Sequence, residues 1–198
     1  PLGQEQQYKV QEQANSIASL PIYFDDRSTS TIEKIISSIR LYVKKKQIKV
    51  AVIDYIQILG TAQRVSNLEQ FYGDVSRKLK NIAKELDICI IALSQLNRDK
   101  DNPEPSLARL RASGQIAEAA DTVVLIYRPE VYGKAYKHSK ADPKGTALLT
   151  IAKGRNTGTG SEIVGFNADG TYFYDLNGNV PIKENTPSAS LPDDDTPF

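Results

Sequence analysis

The chain has 198 residues, 40% of them hydrophobic and 25% charged, with a formal net charge of +1. That is enough chain for one domain with a full core, and no apolar run approaches the ~20 residues that a membrane span needs. That charge hides a mildly basic body and an acidic tail from Asn177 to Phe198, so any nucleic-acid binding has to come from a local arrangement of cations.

Pro1 to Gly3 reads as a protease-cleavage scar, and with no Met anywhere the start reads as engineered. Gln4 to Ser19 is Gln-rich with weak helical spacing. Pro21 to Phe24 predicts a short strand. Thr29 or Ser30 can then cap a helix, with Glu33 placed as in a capping box. Ile32, Ile35, Ile36, Ile39 and Val43 form one apolar face of that helix, and Lys44 to Lys46 close it where its dipole favours cations.

Next comes KVAVIDYIQIL, Lys49 to Leu59. Its apolar, β-branched run predicts a strand buried on both faces, as in a parallel sheet covered by helices. Asp54 stands at the carboxyl end, where open α/β sheets place ligands. After a polar loop, Gly60 to Asn67, a long helix carries Leu68, Phe71, Tyr72, Val75, Leu79, Ile82 and Leu86 on its buried side. Ile88 to Ser94 is a second apolar strand, ending in Ser94-Gln95. Its Cys89, the only cysteine, reads as a small core residue. One cysteine makes no internal disulfide, which fits a reducing cytoplasm. The single His138 has no neighbouring His or Cys, so no zinc site is expected.

A charged loop, Asn97 to Pro105, leads through Ser106 to Ala120 into a third buried strand, Thr122 to Tyr127. Ala147 to Ala152 and Glu162 to Phe166 are joined too closely for a helical crossover, so they form an antiparallel hairpin. Gly170 marks a turn before a last strand, Tyr172 to Tyr174. Residues 177–198 read as a disordered acidic tail. The order predicts an α/β fold with a largely parallel sheet and antiparallel strands at its C-terminal side.

Four features carry chemistry. Asp54 has the place of a carboxylate presented to a nucleotide-bound magnesium ion, though many such strands end in Asp simply to make a turn. Gln95 ends the neighbouring strand and could bond a terminal phosphate and a water, or merely the loop backbone. Lys153 and Arg155, two apart on an extended chain, project together before NTGTG; they suit phosphate oxygens, or solvent. In LARLRASG, Arg109 and Arg111 lie beside Ser113 and Gly114, a combination fit for a sequence-blind phosphate-backbone contact or for an ordinary helix cap.

PIYFDD, VAVIDYIQIL, SRKLKNIAKELD, IALSQLNR, LRASGQIAEAADTVVLIYRPEVY and KGRNTGTG run in order over residues 14–175. Together they resemble the carboxy-terminal motor domain of DnaB-type replicative helicases, a hexameric branch of the RecA-like P-loop ATPases. The resemblance implies ATP-driven translocation along single-stranded DNA and duplex unwinding by a homo-hexamer, with primase and a helicase loader as partners. It implies that Asp54 holds magnesium through water and that Gln95 senses the γ-phosphate. By the same likeness Lys153 and Arg155 reach a neighbouring subunit's ATP in trans, Arg155 as arginine finger. Arg109, Arg111, Ser113 and Gly114 would then fall in the loop that grips DNA.

Two departures from the family pattern matter. Ala112, not an acid, follows Arg111. No GxxxxGK followed by Ser or Thr occurs in the sequence, and Tyr55, not a glutamate, follows Asp54. Residues 4–176 are therefore expected to be a partial RecA-like domain lacking the P-loop strand, and the isolated chain is expected to lack ATPase activity. The alternatives are a non-catalytic RecA-like binding module and a recombinase-like ATPase. The tail ends LPDDDTPF, similar to the acidic tips of bacterial single-stranded-DNA-binding proteins, and reads as a docking tip or a solubilising tail.

Overall fold

The computed structural model describes residues 3–26, 31–60, 67–96, 102–109, 114–169 and 172–176. Most of the expected scar, Thr29, Ser30, Arg111, Ser113, Gly170 and the tail from 177 onward lie outside the described residues.

Helix α1 (Gln4–Ala18) forms where the weak spacing places it. It buries no apolar face, and Tyr8, Val10 and Ile17 are all exposed. The strand expected at Pro21 to Phe24 does not form. No described strand runs beside it to complete a ladder. Tyr23 leans instead on Tyr42, ring centroids 5.7 Å apart, with Lys46 Nζ 5.5 Å from the Tyr23 ring centre.

Helix α2 (Ile32–Lys46) is capped by Thr31, whose hydroxyl accepts the N–H of Lys34 at 3.4 Å. The cap thus falls after both expected positions. Glu33 then lies in the first turn, and its carboxylate pairs across to Lys78 at 2.7 Å. The apolar face is as expected, with Ile32 and Ile39 buried.

Strand β1 (Val50–Ile53) pairs in parallel with β2 (Cys89–Ala92), and α3 (Leu68–Leu86) crosses between them. Asn67 caps α3 by accepting the Gln70 N–H at 3.1 Å. Asp87 ends it in the left-handed region at φ 51°, returning its N–H to Ala83. Leu68, expected on the buried side, is exposed in the first turn. Tyr72, Val75 and Leu79 join Ile32, Ile53, Ile56 and Leu59 in one core. Each such buried side chain contributes about 1.5–3 kcal/mol.

That core covers only one face of β1 and β2. Val50 and Val52 are 50% and 62% exposed, and Ile91 and Leu93 share their side. The expectation of burial on both faces is therefore corrected: Ile53 and Ile90 meet the core built on α2 and α3, while Val50, Val52, Ile91 and Leu93 meet solvent. Cys89 is corrected with them, as a free, exposed thiol opposite Val50.

The second sheet is antiparallel, in the order β3 (Thr122–Tyr127), β4 (Thr146–Gly154), β5 (Gly160–Asn167), β6 (Tyr172–Tyr174). The expected hairpin is β4–β5. Strand β3 is buried on one side only, at Leu125 and Tyr127, with Val124 and Ile126 exposed. The buried Tyr136 hydroxyl lies 2.8 Å from Thr146 Oγ1, and the Arg128 guanidinium lies 3.8 Å from the centre of the Phe166 ring. Short helix α4 (Gly114–Ala119) leads into β3 and packs on α3.

Candidate nucleotide-sensing site

Asp54 follows the last residue of β1, and Gln95 lies just beyond β2. Because the strands are parallel and adjacent, both residues leave the sheet at the same end. With Tyr55, Leu93 and Ser94 they line one open cleft of about 300 Å³. Asp54 and Gln95 are both exposed. The peptide between Asp54 and Tyr55 is cis.

The cleft rests on the core. A 3-10 helix, Ile56–Gly60, turns the chain back under Asp54 and buries Ile56 and Leu59. Gln57 in that turn bonds the neighbouring strand end. Its side-chain amide donates to Ser94 Oγ at 2.9 Å and to the Gln95 carbonyl at 3.0 Å, and accepts the Gln95 N–H at 3.2 Å. The Tyr72 hydroxyl donates to the Gln57 carbonyl at 3.3 Å. Burial first, and then nearby Tyr55, push the Tyr72 phenol above its ordinary value, so it stays a donor at neutral pH.

The donor set suits magnesium only in part. Among the described residues no three acidic, His or Cys side chains converge on a metal position. One exposed carboxylate beside an amide fits an ion held through water, with most of its ligands supplied by phosphates.

Lys153 and Arg155 do project together, but they do not line that cleft. Lys153 Nζ donates to the carbonyls of Ala117 at 2.7 Å and Glu118 at 2.8 Å. Arg155 donates to Glu118 O at 3.2 Å, and its guanidinium is 3.7 Å from the Asp121 carboxylate. Both cations thus cap the carbonyl end of α4, where unpaired C=O groups and the helix dipole favour positive charge. Gly154 between them allows the close turn that follows. A Cβ there would collide with Gly158 O and Thr157 Oγ1. Gly154→Ala is expected to destabilise the chain by about 1–3 kcal/mol, read by urea unfolding, because Gly158 backbone must move.

Asp121 also pairs with Lys80 of α3. That hydrogen bond above all, then the charges of Lys80, Arg155 and Lys153, hold the Asp121 carboxyl below its usual value. A lowered folded-state value means the stabilisation is complete above the ordinary aspartate range and is lost as pH falls below it. Asp121→Asn should therefore lower the melting temperature slightly at neutral pH and flatten its fall in acid. The effect is small because the pair is half exposed.

Arg109 has work of its own: its guanidinium donates to the carbonyls of Asn102 at 3.0 Å and Glu104 at 3.1 Å. It also lines a pocket of about 260 Å³ with Leu96, Pro105, Ile126 and Tyr132. Gly114 is the first residue of α4. The structure therefore joins Asp54 to Gln95, and Lys153 to Arg155, as two separate groups. Gln57, Gly154 and Asp121 were missed from sequence. The signals were an amide within apolar YIQIL and a glycine between two strand cations.

A family model described as "DnaB-like helicase C terminal domain" matches residues 1–175. The chain is 37% identical over 164 residues to the "Replicative DNA helicase DnaB" of Leifsonia xyli subsp. xyli (strain CTCB07), covering 81% of this chain and 35% of that protein. It is 35% identical over 156 residues to the protein of the same name from Buchnera aphidicola subsp. Schizaphis graminum (strain Sg), covering 77% and 32%. The chain thus spans about a third of the length of these relatives. A solved ATPase domain superposes with a TM-score of 0.76 at 29% identity, covering 88% of this chain and 62% of the other. A solved DnaB-like replicative helicase, described with its interactions with primase, superposes with a TM-score of 0.74 at 30% identity, covering 88% and 43%. The fold is accordingly RecA-like, a parallel pair of strands beside an antiparallel sheet. The chain belongs to the DnaB-like helicase C-terminal domain family.

Proposed function

We propose that this chain is the nucleotide-sensing and DNA-gripping part of a hexameric replicative helicase that couples ATP hydrolysis to movement along single-stranded DNA. The observation that carries this reading is that Asp54 and Gln95 line one cleft at the carboxyl ends of two adjacent parallel strands. In this reading Asp54 holds a nucleotide-bound magnesium ion through water. That ion would neutralise phosphate charge as the γ-phosphate departs. Gln95 bonds the γ-phosphate and releases it after hydrolysis, which displaces the strand tip.

Lys153 and Arg155 serve the ATP of the neighbouring subunit, with Arg155 as arginine finger. Their bonds to the α4 carbonyl end support a coupling role, since α4 begins at Gly114. When the neighbour's phosphates compete for these cations, α4 loses its caps and its first residue can shift. Arg111, Ser113 and Gly114 contact the DNA backbone. Arg109, whose guanidinium also bonds the carbonyls of Asn102 and Glu104, joins them at the DNA backbone. Primase and a loader are partners of the assembly, which works in the cytoplasm. No described helix is long and apolar enough to cross a membrane.

The sequence contains no P-loop motif, so the triphosphate cradle is supplied by chain outside these residues. Steady-state phosphate release tests the reading. The chain alone should give none above buffer. The hexameric assembly containing it should release phosphate faster when single-stranded DNA is added. An assembly insensitive to DNA would contradict the proposal.

A further inference from the structure

Strands β1 and β2 stay paired only as far as their backbones run together. Cys89 N donates to Lys49 O at 2.9 Å and Leu93 N to Ile53 O at 2.9 Å. Ile56 N then donates to Leu93 O at 3.0 Å. Beyond that bond the first chain coils into the 3-10 helix Ile56–Gly60, and among the described residues no strand of that chain continues beside Gln95. The next rung is nevertheless made, and it is made by a side chain. Gln57 Oε1 accepts the Gln95 N–H, and Gln57 Nε2 donates one hydrogen to Gln95 O and one to Ser94 Oγ.

A primary amide presents the same donor and acceptor as a peptide group, at the end of a two-carbon stem. Glu lacks the donor, Leu lacks both groups, and Asn is one methylene short. The stem is itself fixed. Gln57 follows buried Ile56, the same turn buries Leu59, and the Gln57 carbonyl is bonded by Tyr72 of α3.

We infer that Gln57 is a positioning residue for Gln95: its amide replaces the missing strand at the ladder's last rung and so fixes the backbone from which Gln95 reaches the cleft. This inference rests on the proposed role of Gln95 in sensing phosphate. It extends that role, because a pull on Gln95 is transmitted through Gln57 to Tyr72 and α3. A sensor has to be held to within a fraction of an ångström to distinguish a bound phosphate from a departed one.

Two measurements test the inference. The first is amide hydrogen exchange in this chain. In Gln57→Leu the Gln95 amide should exchange about fivefold faster or more, as expected for one lost hydrogen bond. The Leu93 amide, bonded to Ile53, should keep its protection. The second is ATP turnover in the hexameric assembly. Gln57→Glu should lower kcat about tenfold while KM for ATP stays within about twofold, as for an interaction needed during turnover and not for binding. Gln95→Ala should lower kcat as well, and the double variant should be no worse than Gln95→Ala alone.

Unchanged Gln95 exchange in Gln57→Leu would overturn the clamp. A wild-type kcat in Gln57→Glu, or fully additive losses in the double variant, would overturn its positioning role. A wild-type assembly that hydrolyses no ATP would instead overturn the proposed function, while the exchange data would still decide the clamp.

Discussion

If Arg155 has the proposed role, replacing it with alanine is expected to slow ATP turnover by the proposed hexameric assembly by about 10³-fold or more, the scale on which arginine fingers act. The isolated chain should keep its fold. Lys153 continues to hold Ala117 O and Glu118 O, so α4 retains a cation at its carbonyl end. Nucleotide affinity should change far less than turnover, because charge builds on the transferring phosphoryl in the transition state. Arg155→Lys should remain strongly impaired. It keeps the charge but loses the planar fork that matches phosphate oxygens. Single-turnover hydrolysis with saturating ATP separates the chemical step from product release. A rate within tenfold of wild type in Arg155→Ala would remove Arg155 from the catalytic role.

The second large effect is structural. Ile56→Ala is expected to destabilise the chain by about 3 kcal/mol, within the 2–5 kcal/mol typical of buried Ile→Ala. For a chain of this size that is a fall in melting temperature of roughly 6–12 °C. Ile56 is 1% exposed, packs in the main core, and donates its N–H to Leu93. The cavity would open directly beneath the Asp54–Gln95 cleft. Ile58→Ala in the same turn is the control, since Ile58 is 51% exposed and should cost little. Equal losses from both variants would mean that the 3-10 turn is not the floor of the site.

Much of this molecule was legible in the sequence because hydrophobic period reports burial. The α2 and α3 stripes follow from a period of 3.6, the β4–β5 hairpin from a joint too short for a crossover, and the placement of Asp54 and Gln95 at one end of the sheet from two short apolar runs. Burial on both sides of β1 is not encoded in its sequence, since an apolar run reports what a strand tolerates and not what covers it. Val50, Val52 and Cys89 are exposed because the described residues put helices on one face only. Pro21 to Phe24 has strand composition, but a strand needs a partner, which local sequence does not encode. Lys153 and Arg155 were readable as a pair. Their shared hold on α4 was not, since α4 is more than thirty residues away in sequence. The role of Gln57 is not legible in the sequence because it depends on β1 ending where it does.

The most direct test of the whole account is fluorescent-nucleotide binding to this chain alone, and to this chain mixed with an equimolar P-loop-bearing segment. The account predicts magnesium-dependent binding in the mixture only, abolished by Asp54→Ala. Binding that is indifferent to Asp54→Ala, or seen with the chain alone, would contradict it.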